Sequence, residues 1–261
     1  MKQQIDPIGR DKYLTDDELV TGYRFCHEHE HMPRWGTACM VFRIAAGTAM
    51  RVSEIVNCLV PRDIDPKGFI IVRAETSKTN RERLVKATPE LLPYWRVWLQ
   101  RIPVPGPLIP RPALDIAGDQ IVPENHTGKR IIPAYRRKAS AKSQARAPYS
   151  RFDLRKMMQD VLKVANIGQR PNRKSGLISI HDLRHTWATW ELASGRCSLT
   201  EVQCQLGHIS PEMTQAFYLH AVTELMYEPD KTPKWRAAAL GKFEEEKHEP
   251  RRLSVLKQRR A

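Results

Sequence analysis

The sequence predicts a mainly α-helical α+β fold with a small antiparallel β-sheet. Apolar residues recur at helical spacing in most segments of the 261-residue chain, which is typical of amphipathic and buried helices. One pair of β-branched runs, Phe69–Val72 and Arg83–Ala87, lies close enough in sequence to form a hairpin. No internal repeat is visible, and a hydrophobic fraction of 41% indicates a globular rather than a disordered chain.

Two helices are predicted at the start of the chain. Thr15 followed by Glu18 is a capping box, and the apolar residues after it predict a helix that Pro33 ends. The strongly apolar run Trp35–Ala49 predicts a buried core helix. We expect Gly47 to break or cap that helix.

The next segments bring a helix, the hairpin and a second helix. Apolar positions at helical spacing in Arg51–Leu59 place Arg51 at a helix start. The two strands of the hairpin are joined by Ala74–Glu82, which carries Lys78 at its tip. Pro89–Ile102 predicts an amphipathic helix with proline in its first turn.

Residues 103–148 break the helical pattern. Prolines are dense there, and Lys129–Arg146 is basic with few apolar anchors, so we expect a long loop or a disordered insert. It is interpreted either as an arm that contacts phosphate groups or as a solvated charged loop. In the first case the contacts are expected from Lys129, Arg130, Arg136, Arg137, Lys138, Lys142 and Arg146.

Helical periodicity returns after the insert. Phe152–Ile167 and Trp235–Phe243 each predict a helix, and a highly charged tail follows the second. Between them, Ile178–His220 holds three histidines, an arginine and a tyrosine at spacings that an ordinary amphipathic helix does not require.

The charge of the chain points to a polyanionic partner. Lys and Arg number 43 against 29 Asp and Glu, which gives a formal net charge of +14 and a pI near 9.8. Nucleic acid is the first partner that such a field favours; a ribosomal-type or membrane-surface protein is the alternative. No apolar run is long enough to span a bilayer, and no apolar signal opens the chain, so we expect a cytoplasmic protein.

The cysteines predict neither disulfides nor a metal site. All five are scattered without a CxxC pair, so reduced thiols are expected. Cys26 lies beside His27, His29 and His31, but only His27 and His31 share a helical face, and no further ligand is spaced to join them. We therefore expect no metal and no cofactor.

Several residues of Ile178–His220 point jointly to phosphate chemistry. His181 and Arg184 project from one helical face, with His185 one position further round. Leu206-Gly207-His208 is expected to end a second helix and to present His208 at the turn. Each residue alone has a structural explanation, but with Arg51, Lys78 and Tyr218 they form a plausible phosphoryl-transfer set.

The motifs AGTAMRVSEI, TSKTNRERL, HDLRHTWAT, LGH and FYLH together resemble the catalytic domain of the tyrosine recombinases of the lambda-integrase and Xer type. Their order and spacing match from about Leu14 to His220. The resemblance implies two phosphate-clamping arginines, an acid on the hairpin, two histidines, a nucleophile and a supporting carboxylate. The arginines are Arg51 and Arg184, and the acid on the hairpin is Lys78. The histidines are His181 and His208, the nucleophile is Tyr218, and the supporting carboxylate is Glu54.

The chemistry agrees with these roles. Guanidinium groups hold the anionic oxygens of a phosphodiester as charge grows in the transition state. A tyrosine phenol has a reference pKa near 10, so its deprotonation at pH 7 costs about 4 kcal/mol without help. His181 is the better candidate base, and Lys78 is suited to protonate the departing 5′-oxygen. The expected intermediate is a 3′-phosphotyrosyl enzyme, formed without ATP or metal.

The resemblance also implies how the chain is organised. We expect a short extension at 1–13, a catalytic domain at 14–228, and a C-terminal helix and tail at 229–261. Double-stranded DNA is the implied partner, bound by a homotetramer on synapsed DNA. Trp235–Phe243 is expected either to dock on a neighbouring protomer, with Trp235, Leu240 and Phe243 as anchors, or to pack on its own domain. The family's usual core-binding domain is not evident, so the chain is either a catalytic-domain-only member, of prokaryotic or phage origin, or a fragment.

Two other functions fit the same residues. A type IB topoisomerase-like enzyme nicks and closes DNA with this chemistry but without synapsis. A DNA-binding regulator would keep the fold without cleavage. The complete set of six catalytic candidates favours an enzyme over the regulator.

Overall fold

The computed structural model describes residues 10–32, 35–65, 67–77, 80–102, 105–110, 149–226 and 233–243. Within these ranges the chain forms helices joined by two small β-ladders, as the predicted α+β class requires. The helices are α1 (Asp16–His29), α2 (Gly36–Thr48), α3 (Val52–Asn57), α4 (Leu92–Arg101), α5 (Arg151–Val164), α6 (Ile180–Ala193), α7 (Leu199–Leu206), α8 (Pro211–Met226) and α9 (Lys234–Ala239). The strands are β1 (Leu59–Val60), β2 (Phe69–Val72), β3 (Arg83–Lys86) and β4 (Gly106–Pro107).

The first helix begins as its sequence predicts. Thr15 Oγ1 accepts the Glu18 amide at 3.3 Å, and Glu18 Oε2 accepts the Thr15 amide at 2.9 Å. This reciprocal capping box satisfies two amides that have no partner within the helix. The helix ends at His29, four residues before Pro33.

The predicted role of Gly47 is wrong. Gly47 lies inside α2, which continues to Thr48 and ends at Ala49 in the left-handed conformation, with φ 57°. A β-carbon on Gly47 would lie 3.0 Å from the Leu91 side chain and 3.1 Å from that of Thr88. The glycine therefore permits close packing against the segment before α4 instead of ending α2.

The predicted hairpin is confirmed. Strands β2 and β3 pair antiparallel, with Phe69 opposite Lys86 and Val72 opposite Arg83, and β1 pairs with β4 in a second two-stranded ladder.

Several helix boundaries differ from the prediction, and α5 and α9 end at Val164 and Ala239, before the predicted Ile167 and Phe243. Helix α3 stops at Asn57, because Cys58 is extended and leads into β1. Helix α4 starts at Leu92 rather than at residue 89, because a turn closed by the Leu91 amide on the Thr88 carbonyl comes first. Pro93, instead of Pro89, occupies the first turn of α4.

The helices enclose one large core and one small one. Helix α2 is buried along most of its length and packs on α5 and α6. Helices α6, α7 and α8 pack on one another and bury the smaller cluster, which includes Trp187, Val202, Leu206 and Tyr218. The smaller core therefore joins the segments on which the histidines and the tyrosine lie.

The C-terminal helix α9 packs on α1 of its own chain. Trp235 is buried and stacks on Tyr23 with 6.0 Å between ring centroids. Both carboxylate oxygens of Asp16 accept amides at the start of α9. Leu240, one of the expected anchors, is 43% exposed. The single chain thus shows the own-domain arrangement, and exchange between protomers stays a proposal.

None of the helices within the described ranges is both long and apolar enough to cross a lipid bilayer.

Candidate active site

Arg51 lies immediately before α3, as predicted, and Glu54 holds it there. Glu54 Oε2 accepts the Arg51 amide at 2.7 Å, and Oε1 accepts Arg51 Nη1 at 2.9 Å. The carboxylate of Glu54 is fully buried, whereas the side chain of Arg51 is 17% exposed. The resemblance assigned Glu54 a supporting role, which stays a prediction; the structure shows its contacts with Arg51.

Arg184 connects the segment around Arg51 with the segment around His208. It lies on α6 with only 2% exposure, and its Nη1 donates to the carbonyl of Ala49 at 2.8 Å. Its Nη2 donates to the carbonyl of Leu206. Ala49 comes two residues before Arg51, and Leu206 two residues before His208. Arg184 therefore draws these distant segments together.

Three histidines lie near Arg184. His181 and His185 are on the same helix, α6, and His208 follows Leu206, whose carbonyl accepts from Arg184. The rings of His181 and His185 meet edge to face, with centroids 5.1 Å apart. His208 follows Gly207, which ends α7 in the left-handed conformation as predicted, and its Nδ1 lies 2.9 Å from Thr214 Oγ1. His181 is exposed, whereas His185 and His208 are partly covered.

Tyr218 lies in the middle of α8 with an exposure of 0%. Its hydroxyl oxygen is 2.8 Å from Nδ1 of His185. His181, the base candidate from sequence, is thus not the histidine placed on the phenol. The sequence did contain a signal for His185, because it adjoins Arg184 in HDLRH and lies near the same helical face.

The charges of the site favour an anion. Burial and the charge of Arg51 lower the pKa of Arg184 to about 9, so it stays protonated at neutral pH. Burial would raise the pKa of Glu54, but hydrogen bonds and charge from Arg83 hold it below its ordinary value. Three guanidinium groups (Arg51, Arg83 and Arg184) against one carboxylate leave about two positive charges.

The histidines are neutral at neutral pH. Burial, together with the charge of His181, lowers the pKa of His185 to about 3. Burial and the charge of Arg184 lower the pKa of His208 to about 4 and also lower that of His181. Burial raises the pKa of the Tyr218 phenol, and the charge of Arg184 only partly opposes this rise. The phenol is therefore protonated in the DNA-free chain.

Some predicted site residues lie outside the described ranges. Lys78 is one of them, although the strands β2 and β3 on either side of its loop are described. The seven basic residues of the insert, from Lys129 to Arg146, also lie outside. Within the described residues, no group of three or more histidine, cysteine, aspartate or glutamate side chains is arranged to hold a metal ion.

The fold and the site define a class of protein. The sequence model of the Phage integrase family matches residues 12–224, which is most of the chain. The chain therefore belongs to the phage integrase family, the tyrosine recombinases.

Particular relatives are similar over part of their own length. The putative tyrosine recombinase XerC of Pseudomonas aeruginosa is 27% identical over 186 residues, which cover 71% of this chain and 36% of the relative. The crystal structure of XerA recombinase aligns with a TM-score of 0.53 and 20% identity, over 87% of this chain and 66% of that one. XerH bound to palindromic difH DNA in a post-cleavage complex also gives 0.53, with 16% identity over 88% and 57%. The chain thus spans about a third of the curated relative, and the solved structures establish the shared fold.

Proposed function

We propose that this chain is a site-specific DNA recombinase that cleaves and rejoins strands through a 3′-phosphotyrosyl intermediate. The observation that carries the proposal is the convergence on Arg184. Its guanidinium binds the carbonyls just before Arg51 and just before His208, and its charge acts on the phenol of Tyr218. Two cations (Arg51 and Arg184), the neutral His208 and the proposed nucleophile Tyr218 thus belong to one site with a net positive charge.

In this mechanism the phosphodiester binds to the two guanidinium groups. Arg51 and Arg184 engage the non-bridging oxygens, whose charge grows as the nucleophile attacks. His208 is neutral, and when its Nδ1 accepts the Thr214 hydroxyl its proton lies on Nε2, which is proposed to donate to the phosphate. Double-stranded DNA is the proposed partner, and the basic insert Lys129–Arg146 is proposed to add contacts with its backbone.

The proton of the phenol passes to a histidine. Tyr218 Oη attacks phosphorus, the bond from phosphorus to the 5′-oxygen breaks, and Lys78 is proposed to protonate that oxygen. His185 is the proposed acceptor of the phenolic proton, because its neutral Nδ1 lies 2.8 Å from the hydroxyl oxygen. Because Tyr218 is fully buried, we infer that α8 shifts when DNA enters.

A pool of nicked duplexes with randomised sequence around the nick tests the proposal. The nick lets the short fragment that carries the new 5′-hydroxyl diffuse away, so a phosphotyrosyl enzyme accumulates and migrates as a protein–DNA adduct on a denaturing gel. We expect an adduct with the wild-type chain and with the matched control Tyr94→Phe, and none with Tyr218→Phe. A chain that binds the DNA without forming an adduct would instead be a non-catalytic regulator.

A second assay separates recombination from topoisomerase-like action. Two duplexes with different labels are selected for adduct formation and incubated together with the enzyme. Exchange of labelled strands supports a recombinase acting in a synaptic assembly, for which we propose a tetramer. Nicking and closing without exchange would support the type IB topoisomerase-like alternative.

A further inference from the structure

Arg83, at the start of β3, joins the β2–β3 hairpin to Glu54 on α3 and to Gln205 on α7. Its Nη1 and Nη2 donate to the two carboxylate oxygens of Glu54 at 3.0 and 2.7 Å. Its Nε donates to the backbone carbonyl of Gln205 at 3.0 Å. The side chain is only 9% exposed, so these contacts form largely away from water, where charge-assisted hydrogen bonds are strong.

Glu54 depends on this contact because its carboxylate is fully buried. It accepts two hydrogen bonds from Arg51 and two from Arg83. A buried carboxylate that loses one of two cationic partners is strongly destabilised. It would therefore draw the remaining guanidinium toward itself.

We propose that Arg83 is a positioning residue that keeps the guanidinium of Arg51 available to the DNA phosphate. Arg83 engages both oxygens of Glu54 in a fork, so the guanidinium of Arg51 donates to that carboxylate through Nη1 alone, beside the bond from the Arg51 backbone amide. In the described part of the chain, the other guanidinium N–H groups of Arg51 have no protein acceptor. The inference rests on the proposed function, in which those groups bind the phosphodiester.

Without Arg83, the geometry of Arg51 changes. Arginine and carboxylate groups readily form two parallel hydrogen bonds, and Glu54 would have both oxygens free to accept from Arg51. The guanidinium that should clamp the phosphate would then be turned into the protein. Removing the charge of Glu54 removes this competition, which gives the proposal a specific test.

Arg83 also lies against the turn that presents His208. A β-carbon on Gly207 would lie 2.9 Å from Arg83 Cδ. On the same strand, the amide and the carbonyl of Lys86 bond to the Gln205 side chain, at 3.0 and 2.7 Å. The hairpin that carries Lys78 is thereby fixed to α7 as well as to α3. Arg83 is the side chain that touches both.

A double-mutant cycle tests the role of Arg83 in the full chain. Arg83→Gln, Glu54→Gln and the double variant are compared with wild type for the rate of adduct formation on nicked duplexes at saturating DNA, per folded protein. We expect Arg83→Gln to slow the reaction about a hundredfold, as loss of one transition-state donor does. In the Glu54→Gln background the same change should cost less than about threefold, because a neutral amide does not compete for Arg51.

Folding is measured separately by chemical denaturation of each variant. Arg83→Lys keeps the charge and replaces Arg83→Gln in the cycle if the latter does not fold. An equal cost in both backgrounds, or a rate per folded molecule equal to that of wild type, would overturn the inference. If wild type itself forms no adduct, the proposed function fails, and the two failures are thereby distinguished.

Discussion

Single residues decide whether the phenol of Tyr218 can act as a nucleophile. Burial raises its pKa, so in the DNA-free chain the phenol keeps its proton and bonds to His185. A phosphodiester placed between Arg51 and Arg184 would offset the positive charge of Arg184, which contributes to keeping His185 neutral. In the proposed mechanism the substrate itself would then raise the pKa of His185 and strengthen it as the acceptor of the phenolic proton.

Replacing His185 by asparagine tests the transfer of the phenolic proton. Asparagine keeps an acceptor near the position of Nδ1 but cannot take up a proton. We expect His185→Asn to slow adduct formation about a hundredfold at pH 7, with the loss shrinking toward pH 9 as hydroxide replaces the base. The matched control is His29→Asn, a partly buried histidine on α1. A wild-type rate and pH profile in His185→Asn would return the role to His181.

The sequence could predict most candidate residues for the chemistry, His185 excepted, but not the residues that orient them. Arg51 and Arg184 stand in motifs whose spacing is distinctive. Arg83 stands in a strand where a charged residue usually marks an exposed face, so nothing local shows that it reaches Glu54. Contacts of this kind depend on the packing of segments far apart in sequence.

At the scale of elements, the turn after α7 combines two constraints at Gly207. Its φ of 61° favours glycine, and a β-carbon would also meet Arg83. Gly195 has a similar φ of 65° but open space around it, so it isolates the backbone effect.

Gly207→Ala should therefore cost more than Gly195→Ala. We expect each to lose about 1–2 kcal/mol of unfolding free energy from the left-handed backbone, with a further loss only at Gly207 from displacement of Arg83. Adduct formation should slow only in Gly207→Ala, because that turn presents His208. Chemical denaturation and the nicked-duplex assay measure the two effects, and equal behaviour of the two variants would contradict this view of the turn.

The docking of α9 gives a second prediction for an element. Trp235 is 4% exposed on its own chain, so Trp235→Ala should lower the unfolding free energy by about 3–5 kcal/mol. Leu240→Ala, at a more exposed position, should change it by less than about 0.5 kcal/mol. The loss should not vary with protein concentration. A marked concentration dependence in wild type would instead indicate exchange of α9 between protomers.

Element types were easier to predict than element ends. The capping box at Thr15 and the stop at Gly207 have local causes, and both predictions are confirmed. Gly47 was misjudged because its role is to admit Leu91 and Thr88 from a distant segment.

For the whole molecule, the buried histidines predict how stability depends on pH. In the unfolded chain His185 and His208 titrate near 6.5, whereas in the folded chain their pKa values are about 3 and about 4. Between these limits the unfolded state binds more protons, so unfolding free energy falls as the pH drops below about 6.5.

From pH 7.5 to pH 5, the two histidines together should cost on the order of 2 kcal/mol after allowance for solvent screening. Denaturant titrations at the two pH values measure this loss. The variant His185→Asn should show a smaller loss than wild type. An equal loss in both would mean that His185 is not held neutral by the fold.

The fold class followed from hydrophobic periodicity, and the family followed from the order of the motifs. The depth at which Tyr218 lies did not, because the burial of a helical residue depends on which neighbours pack over it. Tyr218 therefore combines a core position on α8 with a hydroxyl bonded to His185 on α6, and the two are visible together only in the folded chain.

The most direct test of the central claim is the identity of the tyrosine that carries DNA. Trapped adduct is digested with nuclease and trypsin, and the modified peptide is sequenced by tandem mass spectrometry. The tryptic peptide Cys197–Lys231 contains two tyrosines, Tyr218 and Tyr227, so fragment ions distinguish them. We predict a nucleotide joined through its 3′-phosphate to Tyr218. A nucleotide on Tyr227 or on any other residue would contradict the proposed mechanism.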